Sequence, residues 1–273
     1  MKRARESKPF AKRSLGQNFL VDPSYISKII DALEVRSGDI VVEIGPGRGA
    51  LTERLVATAD RIIAVEIDRD LVPLLRDRFK NDENLIVIEA DVLKIDLAQL
   101  VPRDIHTAPN SPLFKVVANL PYYISTAVLQ KLAEQRHLLS TLVLMFQREV
   151  VDRITAAPGN SDRGFLTVLT EAFFEIERLF DVPAEAFRPQ PKVRSSVVRL
   201  TPKTREISNE TVFRELISNA FRQKRKTLTN NLKAFYPNAA EIIAAAGIDP
   251  RLRPEALTID QWLRLVESAP KGG

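Results

Sequence analysis

From Asp39 onward, apolar runs rich in β-branched residues alternate with segments of helical period, an arrangement that predicts a parallel sheet covered by helices. Five runs carry this signal: DIVVEI (39–44), RIIAVEI (61–67), NLIVIEA (84–90), FKVVAN (114–119) and TLVLMFQ (141–147). Each is almost continuously apolar, as central strands buried on both faces are. Helices are predicted to begin near Gly49, Asp68 and Ser125, the last two being side chains that cap an N-terminus. Further along, FFEIERLFDV and KVRSSVVRLTP read as two more strands, an antiparallel pair at the sheet edge, joined by the proline-rich VPAEAFRPQPKV. After Pro202 the strand signal stops. ISNETVFRELISNAFRQKRKTLTNNLKAF, NAAEIIAAAG and LTIDQWLRLVES carry apolar residues at helical spacing. Residues 205–273 are therefore expected to form a small all-helical domain after an α/β domain of residues 1–204. Trp262, at helical spacing from Leu265 and Val266, belongs to the core of that smaller domain rather than to a binding surface.

Composition removes several kinds of chemistry. The 273 residues include no cysteine, so disulfides, thiolate catalysis and cysteine-ligated zinc or iron–sulfur clusters are all excluded. The two histidines, His106 and His137, stand near no second metal-type ligand in a recognisable spacing, and no metal is expected. There is no apolar run of membrane-spanning length and no secretory signal at the basic N-terminus, so a cytoplasmic protein without a membrane partner is expected.

The net charge of +5 matters less than its distribution. One cluster is Lys2, Arg3, Arg5, Lys8, Lys12 and Arg13 against Glu6 alone; another is Arg222, Lys224, Arg225, Lys226 and Lys233 with no acidic neighbour. Each by itself fits a solvated tail or helix face, but together they point to a nucleic-acid partner.

Candidate chemistry gathers at the strand ends. EIGPGRGALT (43–52) follows the first strand, and Gly45 and Gly47 let the backbone come close to a bound nucleotide. Gly45, Gly47 and Ala50 also fit the dinucleotide pattern, so the loop leaves the cofactor class open. Glu66 ends the second strand about 20 residues on, where a carboxylate accepts from ribose hydroxyls. Asp91 ends the third strand, placed either to accept from an adenine amine or to cap a turn. Asn119 ends the fourth and opens Asn119-Leu120-Pro121-Tyr122. An exocyclic amine on a base is a poor nucleophile because its lone pair is delocalised into the ring. The Asn119 side-chain carbonyl and the Leu120 carbonyl, turned by Pro121, are two acceptors that hold the amine hydrogens and return the lone pair to nitrogen; Tyr122 offers a ring to stack on. In isolation the same four residues would serve equally as a strand-ending turn. Their arrival at the crevice where the other strand ends converge favours the amine reading.

KRSLGQNFL (12–20), EIGPGRGALT, the Glu66 and Asp91 strand ends, NLPYYIS, FRPQPKVRSSVVRL and AFRQKRKTLTNNL together resemble the ribosomal RNA adenine dimethyltransferases over nearly the whole chain. The resemblance implies a Rossmann-like methyltransferase domain, S-adenosylmethionine as donor, and two adjacent adenines in a hairpin loop near the 3′ end of small-subunit rRNA as substrate. It further implies an immature small ribosomal subunit as partner and a monomeric enzyme. By motif, Asn18, Leu20, Gly45, Glu66, Asp91 and Asn119 contact the cofactor, beside Gly47 of the same loop. Phe187 stacks on the flipped base opposite Tyr122, its other reading being a buried loop anchor. Two positions depart from the family pattern: Tyr123, where Asn is frequent, and Arg194, where Asp is usual.

Three rivals remain at this point. A large-subunit rRNA methyltransferase of the antibiotic-resistance type has similar motifs, but the C-terminal unit and AFRQKRKTL favour the small-subunit enzyme. Asn119 and Tyr122 argue against a non-catalytic RNA-binding assembly factor. The lack of a suitable catalytic His or Tyr-x-x-x-Lys pair argues against a nicotinamide dehydrogenase.

Overall fold

In the computed structural model, which describes residues 12, 16–100 and 114–269, the chain divides into two compact units: residues 1–148 with 177–202, and residues 149–176 with 203–273. Lys2, Arg3, Arg5, Lys8 and Arg13 of the first basic cluster, and His106, lie outside the described residues.

The main element is a seven-stranded sheet. Its strands are β2 (Ile40–Ile44), β3 (Arg61–Glu66), β4 (Leu85–Glu89), β5 (Phe114–Asn119), β6 (Leu139–Gln147), β7 (Phe174–Val182) and β9 (Ser195–Pro202), in the spatial order β4-β3-β2-β5-β6-β9-β7. The first five pair in parallel and β9 runs antiparallel to β6. The chain therefore leaves β2 toward one edge through β3 and β4, then returns to lie on its other side as β5. That reversal opens a crevice at the carboxyl ends of β2 and β5, the place where open α/β sheets bind ligands. A separate two-stranded pair joins β1 (Phe19–Leu20) to β8 (Phe187–Arg188), with Phe19 opposite Arg188 and Leu20 opposite Phe187.

Helix α1 (Pro23–Leu33) shows how the sequence builds the packing. Asp22 caps it by accepting from the Ser24 amide, Pro23 starts it with φ already set, and Glu34 ends it in the left-handed region at φ 50°. Ile26, Ile29, Ile30 and Leu33 recur at helical spacing and are buried against Val41, Ile62, Val117 and Val143 of the sheet. Each such side chain contributes about 1.5–3 kcal/mol on burial. Helix α2 (Thr52–Leu55) starts three residues later than the pattern predicts, because Gly49 sits at φ +78°, outside the helical region. Helices α3 (Leu71–Arg78) and α4 (Ser125–Glu134) follow β3 and β5.

One strand differs from expectation. β4 was expected to be buried on both faces, yet it is the sheet's edge: its burial is partial and Ile86 is 59 % exposed. Apolar content marks a strand without marking its rank in the sheet.

The second unit is helical. It contains most of α5 (Arg148–Ile154), then α6 (Phe165–Phe173), α7 (Glu210–Ala220), α8 (Leu228–Leu232), α9 (Ala239–Ala245) and α10 (Ile259–Ser268). Seven of the nine α6 residues are buried, and the Phe173 ring meets Phe213 of α7 edge to face at 5.8 Å and 82°. This packing is why residues 149–176 group with the chain after Pro202. Trp262 is fully buried beside Phe221, with ring centroids 5.7 Å apart.

Candidate active site

A cavity of about 310 Å³ occupies the crevice of the first unit. It is lined by the ends of β2 and β3 (Ile44, Val65, Glu66), the glycine loop (Gly45, Gly47), the segment after β4 (Ala90 to Leu93), the end of β5 with the turn that follows (Asn119 to Ile124), and a strap of residues 16–19.

The glycine loop and Glu66 are built together. Gly47, at φ +60°, donates its amide to Glu66 Oε2 at 3.0 Å, while the Asp68 amide donates to Oε1 at 2.9 Å. Burial pushes the Glu66 carboxyl above its usual range, and these two backbone bonds oppose the shift. A carboxylate has about four acceptor positions, so two amides hold Glu66 in place and leave it able to accept from a diol. A side chain on Gly47 would meet the Phe19 ring at 3.0 Å, because the strap closes directly over this loop. The Arg48 guanidinium stacks on the other partner of that contact, 4.4 Å from the Phe19 ring centre.

The strap is tied at two points. Asp68, 3 % exposed, accepts from Lys12 Nζ at 2.5 Å and from Gln17 Nε2 at 2.7 Å, and Lys12 also reaches Asp70 at 2.6 Å. Burial pushes the Asp68 carboxyl up, but the bonds from Lys12 and Gln17 outweigh it and hold the group below the ordinary aspartate range. At the second point, Asn119 Nδ2 donates to the Asn18 carbonyl at 3.1 Å. Only the nitrogen end of an amide can donate to a carbonyl, so this bond fixes the side chain's orientation and leaves Oδ1 as a directed acceptor at the cavity wall. Among the described residues no group donates to that oxygen.

Asp91 lines the cavity and also caps the short turn that follows, its Oδ1 accepting from the Leu93 amide at 3.0 Å. Both readings of this residue are compatible, since Oδ2 stays available. Leu120 lines the wall with 1 % of its surface exposed. Tyr122 is half-buried, its hydroxyl 3.2 Å from Ser195 Oγ; burial pushes the phenol up and the Ser195 bond opposes it. That bond fixes the ring's angle at the rim. Tyr123 is 61 % exposed, and a side chain on Gly16 would touch its ring at 3.4 Å, so it packs on the strap.

Two residues assigned to the site by motif stand elsewhere. Phe187 is 1 % exposed, lies in the hydrophobic cluster with Leu20, Val182 and Ala186, and does not line the cavity. Its placement is that of the buried anchor, because β8 pairs with β1 and turns the ring inward. The Leu20 side chain is in the same cluster, 4 % exposed. Arg194 is exposed; its carbonyl accepts from the Arg148 amide at 3.0 Å. Sequence reasoning passed over Gln17, Phe19, Asp68 and Ser195. Gln17 and Phe19 sit within KRSLGQNFL, and the acidic Asp68 two residues beyond Glu66 was read only as a helix start. Among the described residues no group of three metal-type ligands occurs, and no helix is long and apolar enough to cross a membrane.

Comparison with known proteins places these features in a family context. A family profile described as ribosomal RNA adenine dimethylase matches residues 10–271. The ribosomal RNA small subunit methyltransferase A of Acinetobacter baylyi is 45% identical over 258 residues, covering 93% of this chain and 91% of its own. The protein of the same name from Natranaerobius thermophilus is 39% identical over 271 residues, covering 93% and 90%. Among solved structures, a dimethyladenosine transferase from Plasmodium falciparum superposes with a TM-score of 0.74 at 28% identity, covering 90% of this chain and 95% of that one. The 23S rRNA methyltransferase ErmE gives 0.66 at 27% identity, covering 92% and 99%.

Proposed function

The chain belongs to the ribosomal RNA adenine dimethylase family, and from that premise we propose that it dimethylates the 6-amino groups of two adjacent adenines in a hairpin loop near the 3′ end of small-subunit rRNA. Methylation of rRNA adenine with S-adenosylmethionine as donor follows from membership. The adenine pair, an immature small subunit as the substrate particle, the cytoplasmic setting and action as a monomer are our reading. So is the assignment of rRNA binding to residues 205–273. The closer relatives carry the small-subunit name, which favours that substrate over the large-subunit one.

The observation that carries the mechanism is the Asn119 amide, held by the Asn18 carbonyl so that Oδ1 is an acceptor beside Glu66 and Asp91. The cavity suits the donor: Glu66 offers acceptors for a ribose diol, Asp91 for an adenine amine, and the glycine loop allows close backbone approach. When bound, S-adenosylmethionine supplies a methyl group on a sulfonium, whose departure leaves a neutral thioether. Asn119 Oδ1 and the Leu120 carbonyl would accept hydrogen bonds from the target amine and aim its lone pair at that methyl, and the one proton that the methylated nitrogen sheds would pass to solvent water. Proximity and a fixed dipole carry the barrier, and no strong base is required. Tyr122, angled by Ser195, stacks on the base, at roughly 1–3 kcal/mol per contact, against the few kcal/mol needed to unstack it. In the second transfer the amine has one hydrogen fewer, so one acceptor goes unused.

Incubating the protein with labelled donor and under-methylated small subunits, followed by nucleoside analysis, tests this reading. Two dimethyladenosines per particle are expected. Label confined to large-subunit RNA would refute the choice of substrate. Glu66 has a separate consequence. Replacing it by Ala removes the diol acceptor and weakens donor affinity by about 1.5–3 kcal/mol, the range for hydrogen bonds to a charged group. Calorimetry reads this directly, and unchanged affinity would reduce Glu66 to an anchor for the glycine loop.

A further inference from the structure

Between α7 and α8 the chain exposes Arg222, Lys224, Arg225 and Lys226 in succession, with Lys233 at the end of α8 and no acidic residue from Phe221 to Phe235. So dense a set of like charges repels itself and favours a loose, extended segment. Here the main chain is instead tied from the inside by one buried amide. Asn231, 5 % exposed, places Nδ2 at 3.2 Å from the Gln223 carbonyl, 3.4 Å from that of Lys226 and 3.3 Å from that of Thr227. Its Oδ1 accepts from the Gln223 amide at 3.2 Å. A turn bond from the Lys226 amide to the Gln223 carbonyl, 3.0 Å, and the bond from the Leu228 amide to Leu252, 2.8 Å, complete the fastening. Arg222 is steadied separately, its guanidinium 5.0 Å from the centre of the half-exposed Phe235 ring.

Both polar atoms of the Asn231 side chain bond to the backbone of this loop, and residues 222–226 are exposed. Aspartate in its place could not donate to the carbonyls, and an apolar residue could neither donate nor accept. We propose that Asn231 is a positioning residue for RNA: it sets the loop so that its cations meet successive phosphates of the rRNA backbone already in place. The proposal rests on rRNA being the substrate and on this loop contacting it. Phosphate contacts fix register and orientation rather than read sequence, and a loop fixed beforehand loses less conformational freedom on binding.

The test compares three proteins for binding to small ribosomal subunits across a range of salt: wild type, Asn231→Ala, and a variant with Arg222, Lys224, Arg225 and Lys226 all changed to Gln. For Asn231→Ala the Kd for the particle should rise about tenfold, the scale of one or two side chains newly immobilised. Its salt dependence should flatten although no charge has been removed, since fewer phosphates are neutralised at once. Turnover at saturating particle and donor affinity should stay at wild-type values, a split that general unfolding would not give. Asn231→Ser, which retains one donor and one acceptor, should recover part of the affinity, and it replaces the alanine variant in the same assay should that one fail to fold. Wild-type affinity and slope in both Asn231 variants, with the glutamine variant impaired, would overturn the positioning role alone. If the glutamine variant also binds like wild type, the loop is outside the RNA footprint and the reading beneath the proposal goes with it.

Discussion

Asn119→Ala should lower methyl transfer about 100- to 1,000-fold, or roughly 2.7–4 kcal/mol, the usual cost of deleting one preorganised hydrogen-bonding group from a transition state. The effect should fall on turnover. The side chain's Oδ1 has no other described partner, so its loss is felt where the amine hydrogens are held. The Nδ2 bond to Asn18 at 3.1 Å is lost as well, which loosens the strap over the cavity. That bond is neutral and its net worth is about 0.5–1.5 kcal/mol, so donor affinity should fall no more than roughly tenfold. Single-turnover rates at saturating donor, set beside donor Kd, separate the two. A mutant with wild-type turnover would remove Asn119 from the chemistry, and one that lost only donor affinity would make it a strap anchor.

The second large effect is on stability and concerns Glu43. This residue of β2 is 1 % exposed, with Oε2 accepting from Thr52 Oγ1 at 2.6 Å. Burial pushes its carboxyl up to about 7; the Thr52 bond pulls it down and the Glu66 charge adds to the rise. The unfolded chain releases this proton near the ordinary glutamate value, whereas the folded protein retains it to about 7. Between those values the folded state binds more protons, so stability falls as pH rises and levels off above the folded value. The full loss is on the order of 3 kcal/mol, of which about 2 falls between about pH 5.5 and about pH 8. Glu43→Gln keeps the Thr52 bond and has no proton to lose. Urea midpoints at the two pH values should therefore converge in the mutant relative to wild type, and parallel curves would show that folded Glu43 gives up its proton at the ordinary glutamate value.

The strands and the candidate site at their ends were legible because each rests on a local pattern. Apolar runs located β2, β3, β5 and β6 within a residue or two, and short motifs identified Asn18, Gly45, Gly47, Glu66, Asp91, Asn119, Leu120 and Tyr122, all of which line one cavity. What the sequence left dark depends on long-range placement. NLIVIEA reads like its neighbours, but sheet order puts β4 at an edge with Ile86 exposed. The Phe187 motif marks a turn, yet the pairing with Leu20 sends the ring into the core. Residues 149–176 fall within the expected α/β domain of residues 1–204, but Phe173 packs on Phe213 and they group with the chain after Pro202. The clamp on Asp68 joins side chains from distant positions, and no spacing rule announces it.

The strap has a further meaning when the order of synthesis is considered. Residues 16–19 leave the ribosome early, but the groups that fasten them come later: Asp68, then Asn119 at 101 residues from Asn18, then β8, which pairs with β1. Contacts so far apart in sequence form late, because the intervening chain must be made and ordered first. The strap over the cavity is thus made before every group that fastens it and is among the last parts to settle, and a nascent chain ending before Asn119 should lack the tie to Asn18 and hold its cavity still uncovered.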